Sequence, residues 1–86
     1  MTLKAKNQKI LALIFSHPTP AGLKWNDAAG LMAELGATIT QREGSRIAVF
    51  LFDQVRVFHR PHPSPDMDKA AVASLRRWLE ENGVKP

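Results

Sequence analysis

The segment Phe58-His59-Arg60-Pro61-His62-Pro63 holds the side chains best suited to chemistry: two of the three histidines in the chain, with an arginine between them. Imidazole is the side chain whose unperturbed titration lies near neutral pH. It can take the proton of a ribose 2′-hydroxyl or give one to a leaving oxygen, while a guanidinium holds the nonbridging oxygens of a phosphodiester. The competing reading is that His59 and His62 are solvated polar surface at the end of a strand. Other chemistries fit less well. His17 and the scattered carboxylates lack metal-ligand spacing, so no metal site is expected. Ser45 and Ser74 lack the glycine pattern of a nucleophile elbow. The absence of cysteine excludes a thiol nucleophile, a thiolate metal site and a disulfide framework.

Phosphate chemistry needs cations, and twelve Lys plus Arg against eight Asp plus Glu leave a net charge of +4. Arg46, Arg56 and Arg60 fall in or beside two of the expected strands, Lys24 precedes an expected helix, and Lys4, Lys6 and Lys9 crowd the start of the chain. Together they could follow a phosphate backbone; each alone reads more simply as a solubilising charge. Trp25 and Trp78 are expected in the core. Phe50, Phe52 and Phe58 are expected to pack as well, although a sheet face without helices can leave an aromatic free for base stacking.

These residues must be positioned by a chain of 86 residues, enough for one domain and one core. With 44% hydrophobic and 23% charged residues the composition is that of a folded domain. The apolar run Ile10 to Phe15 is shorter than a signal-peptide core, and nothing approaches a membrane span, so a cytoplasmic protein without membrane association is expected.

Ile10, Leu11, Ile14 and Phe15 at helical spacing predict an amphipathic helix over 4–16, ended by His17-Pro18-Thr19-Pro20. A second helix is expected from Asn26 as N-cap, with Ala28, Leu31, Met32 and Leu35 as its apolar stripe and Gly36 closing it. The period then changes to two. Strands are expected over 37–41, 46–52 and 55–59, with turns at Glu43-Gly44-Ser45 and at Asp53-Gln54. The second turn pairs Phe52 with Val55, Phe50 with Val57 and Ala48 with His59. One face then carries Arg46, Ala48, Phe50, Val57 and His59; the other carries Ile47, Val49, Leu51 and Phe58, with Arg56 and Arg60 among them. After the stiff Arg60–Pro65 connection, Asp66 or Asp68 caps a last helix to Asn82 whose stripe is Ala71, Val72, Leu75, Trp78 and Leu79. The predicted fold is α+β, order α-α-β-β-β-α, with helices on one face of a three-stranded antiparallel sheet.

Several local motifs in this order resemble the HicA family of bacterial toxins: a helix ending in Leu35-Gly36-Ala37, Gly44-Ser45 opening the second strand, a third strand running into Pro61-His62-Pro63, and a closing helix ending in Leu79-Glu80-Glu81-Asn82-Gly83-Val84. The first helix with its His17-to-Ala21 segment, together with 58–63, looks like a subgroup bearing an N-terminal extension over 1–22 on a core of 23–86. The resemblance implies a fold similar to the double-stranded-RNA-binding domain, metal-independent cleavage of mRNA without a cofactor, and neutralisation by a HicB-like antitoxin.

In one position the chain departs from the family pattern. The family has its catalytic histidine directly after the Gly-Ser turn, and here that residue is Arg46. A guanidinium stays protonated and cannot act as a general base. Arg46 can bind the scissile phosphate, with His59 or His62 supplying the imidazole. The sequence thus carries two expectations: an endoribonuclease with His59, His62 and Arg46 in its site and Arg46, Arg56, Arg60 and Lys24 on phosphate, or a catalytically silent domain that binds RNA or antitoxin.

Overall fold

The computed structural model describes residues 2–86, and its elements run α1 (Ala5–Ile14), α2 (Trp25–Glu34), β1 (Thr38–Gln41), β2 (Arg46–Leu51), β3 (Gln54–His59) and α3 (Lys69–Glu81). The architecture is α+β in the expected order. The strands form one antiparallel sheet in the order β1-β2-β3. The helices cover the face bearing Ile47, Val49, Leu51 and Phe58, all buried, and Leu31, Met32, Leu75, Trp78 and Leu79 close the core from the other side. The α1 stripe joins the same core through Ile10, Leu11 and Ile14.

Helix ends follow local chemistry. Gly36 at φ +108° ends α2 in a Schellman motif, with Ala37 N–H donating to the Met32 carbonyl and Gly36 N–H to that of Ala33. Gly83 at φ +82° does the same for α3 through Val84 and Leu79. Asp68 is the N-cap of α3, its carboxylate accepting from Ala71 N–H at 2.7 Å.

The start of α2 corrects the expected Asn26 cap. The N-cap is Lys24, two residues earlier, and it makes no side-chain capping bond. Trp25 N–H donates instead to the Pro65 carbonyl at 3.0 Å, and Met67 N–H donates to that of Leu23 at 2.7 Å. A remote loop thus satisfies the first orphan N–H of the helix.

The first helix also lacks a side-chain cap of its own. The Glu34 carboxylate accepts from Lys4 N–H at 3.2 and 3.0 Å and from Asn7 Nδ2 at 2.6 Å, placing a negative charge at the positive end of α1. The Asn7 hydrogen bond is the largest influence and, against the opposing effect of burial, holds the Glu34 carboxyl below the usual carboxylate value, with the Lys4 N–H and the Lys4 charge adding to it. A carboxyl lowered on folding stabilises the fold above its unfolded pKa, and that stabilisation is lost as pH falls through the folded pKa. The stability difference between wild type and Glu34→Gln is therefore expected to be constant above the ordinary carboxylate range and to vanish in acid. Urea unfolding at stepped pH reads this, and a pH-independent difference would refute it.

Candidate active site

The β2–β3 hairpin sets the geometry of the site, and its turn differs from the expected one. Phe52 and Asp53, at φ +57° and +56°, are the two turn residues, and Leu51 pairs with Gln54. Positive φ at both central residues is the type I′ geometry, whose twist matches that of the flanking strands. A phenylalanine is strained there. Its ring packs edge-on against Trp78, centroids 5.5 Å apart at 80°. Gln54, freed from the turn, accepts from Trp78 Nε1 at 2.7 Å and donates to Asn82 Oδ1 at 3.0 Å. Trp78 is only 1% exposed, so its N–H requires such a partner. A turn at Asp53-Gln54 would have drawn Gln54 away from it.

The shifted turn slides β3 along β2 while keeping the same faces. Phe50 pairs with Val55, Ala48 with Val57, and Arg46 with His59. The expected pairing of His59 with Ala48 is thereby corrected. Directly opposed residues have Cβ atoms about 4.5–5.5 Å apart, so the guanidinium and the imidazole stem from adjacent points on the helix-free face. The β1–β2 register continues one step beyond β1, where Arg42 N–H donates to the Arg46 carbonyl at 2.8 Å. Arg42, Arg46 and His59 thus form one row across the end of the open face, and all three are exposed. Among the described residues, the ion pairs are Lys6–Asp27, Lys24–Asp66 and Arg56–Glu81, so neither arginine of the row has a carboxylate partner. Two facing guanidinium groups repel, and a bound phosphate would relieve that repulsion. Arg46 Nε donates only a long 3.5 Å bond to the Glu43 carbonyl.

Beyond His59 the chain turns into Arg60-Pro61-His62-Pro63. His59, Arg60 and His62 line one cleft of about 340 Å³ with Trp25 and the α3 cap Asp68. Arg60 N–H donates to Ser45 O, which extends the β2–β3 ladder and ties the cleft to the Gly44-Ser45 turn.

The remaining expected phosphate ligands lie elsewhere. Arg56 is opposite Val49, on the helix side of the sheet. Its guanidinium carbon lies 5.5 Å from the Trp78 ring centroid, and Nη2 is 3.9 Å from Glu81 Oε1. Lys24 Nζ is 3.2 Å from Asp66 Oδ1. The structure therefore sets Arg46 beside His59 and lines one cleft with His59, Arg60 and His62, and it leaves Arg56 and Lys24 with partners of their own. Sequence reasoning missed Arg42, whose place emerges only when the strand ladder is counted past its regular end. Among the described residues, no group of three or more His, Asp or Glu side chains is placed to hold a metal ion, and no helix is long and apolar enough to cross a membrane.

No curated protein and no solved structure matches the chain. The family model described as the HicA toxin of bacterial toxin-antitoxin systems matches residues 25–84, from the first residue of α2 to the Schellman residue after α3, and so takes in the hairpin, the histidine segment and the cleft. Since that match spans most of the 86 residues, the chain belongs to the HicA toxin family.

Proposed function

We infer that this toxin is a cytoplasmic endoribonuclease that cleaves mRNA by proton transfer, neutralised by a HicB-like antitoxin, with residues 1–22 as an extension on the 23–86 core. The observation that carries the reading is the direct pairing of Arg46 with His59, a residue that also lines the cleft holding His62. In the reaction, one imidazole takes the proton of a ribose 2′-hydroxyl as its oxygen bonds to phosphorus. The bond from phosphorus to the 5′-oxygen breaks, and the other imidazole, protonated, supplies the proton to that departing oxygen. Arg46 holds the nonbridging oxygens, whose charge grows in the transition state. This assigns Arg46 the binding task its fixed charge permits and leaves proton transfer to groups able to perform it. Arg60, which lines the cleft, holds a neighbouring phosphate in this reading.

Purified protein is expected to cut single-stranded RNA with undiminished rate in EDTA, leaving a cyclic phosphate on one product and a free 5′-hydroxyl on the other. RNA bound but left intact would favour the second reading, a silent binding domain, for which the observation is an arginine where the family pattern has histidine.

A further inference from the structure

The helix-free face of the sheet has an unusual surface. Phe50, Val55 and Val57 are 43%, 50% and 55% exposed and adjoin one another across β2 and β3. Thr38 and Thr40 of β1 pair with Phe50 and Ala48 and continue this face, and Arg42, Arg46 and His59 end it. No carboxylate lies on it; Glu43 and Asp53 sit in the turns at its two ends. The three exposed apolar side chains adjoin one another on this face, and an apolar patch that ends in two arginines without carboxylate partners suits a partner both flat and anionic.

We propose that this face binds single-stranded RNA, with a base stacked on Phe50 and the backbone running over Arg42 and Arg46 to His59. The proposal rests on the RNA reading above and specifies its substrate class. Phe50 and Arg46 are four residues apart on one strand, about 13 Å, so the aromatic platform and the cationic row engage successive nucleotides of one extended strand. A duplex hides the faces of its bases and offers phosphates and ribose hydroxyls, which an exposed Phe-Val-Val patch cannot satisfy. An unpaired strand offers a π-face for Phe50 and phosphates for the arginines.

The test uses the full chain and RNA whose riboses are all 2′-O-methylated, so that no 2′-hydroxyl nucleophile is present. By fluorescence anisotropy the single strand is expected to bind more tightly than a duplex of the same sequence. Phe50→Ala and Phe50→Leu should each weaken single-strand binding by about five- to 150-fold, and Phe50→Trp should hold it at or above wild type. Arg42→Ala should lower the dependence of log K on log salt by about 0.7. An aminopurine base in the strand should be quenched by wild type and by the tryptophan variant, not by the alanine variant. Equal binding of strand and duplex, or unchanged affinity of the folded leucine variant, would overturn the proposal. So would a Phe50→Ala variant that loses only antitoxin capture, since the face would then be a protein-docking surface. Phe50-dependent binding without cleavage of ordinary RNA would remove the nuclease reading alone; cleavage indifferent to Phe50 would remove this one alone.

Discussion

Alanine at His59 is expected to slow RNA cleavage by about 10²- to 10⁴-fold, the usual contribution of a positioned general acid or base, and to abolish growth arrest when the toxin is expressed without its antitoxin. His62→Ala should fall in the same range. The double variant should fall far short of the product of the two, because groups that act in one transition state are not additive. Arg46→Ala should cost about 10²- to 10³-fold, as for loss of a single donor to developing negative charge. Arg46→Lys should recover part of it, because the charge returns without the planar pair of donors. All three residues are exposed, so these variants should unfold within about 0.5 kcal/mol of wild type. Single-turnover cleavage of a defined RNA measures each effect. Cleavage undiminished in the double histidine variant would remove both imidazoles from the reaction. Arg46→His in the His59→Ala background is the informative rescue, since it returns an imidazole to the row from the neighbouring strand.

The largest effect on stability is expected at Trp78. Its ring lies 5.5 Å from that of Phe52 and 6.2 Å from that of Phe58, under the Arg56 guanidinium, with its N–H on Gln54. Truncation to alanine should cost about 3–5 kcal/mol. For a domain of 86 residues the whole stability is about 4–13 kcal/mol, so much of the Trp78→Ala population should be unfolded at moderate temperature. Gln54→Ala keeps the ring and orphans the indole N–H, at a cost of about 1–3 kcal/mol. Urea unfolding followed by near-UV circular dichroism separates the two. If Gln54→Ala were as stable as wild type, the hydrogen bond would not be what holds the hairpin end to α3. Gln54→Ala should also slow cleavage, because the same bond keeps β3 in the register that puts His59 beside Arg46.

Most of the fold was legible because apolar spacing reports burial directly. The stripe Val72, Leu75, Trp78 and Leu79 is helical, the alternation Ile47, Val49 and Leu51 is that of a strand, and all seven residues are buried. Gly36 and Gly83 were equally legible, since an αL helix end selects glycine. The Asn26 cap was not, because α2 starts at Trp25, whose N–H is met by the Pro65 carbonyl, forty residues away in the sequence. Of the candidate site, the histidine segment was visible as composition. The separation of Arg56 from Arg46 was visible as strand parity, since residues of odd pairing distance fall on opposite faces. The partners that occupy Arg56 and Lys24 were not, for they come from α3 and from the loop before it.

By itself the amino-acid sequence determined the order of elements, the face of each strand that meets the core, and the presence of imidazoles and guanidiniums close together in the chain. Alternation carries that much, but it is unchanged when a strand slides by two residues, so it cannot say which residue faces which. Only the tertiary structure decided the alignment. A buried indole N–H on α3 needed an acceptor, Gln54 became that acceptor, the turn closed at Phe52-Asp53 instead, and His59 came to stand opposite Arg46.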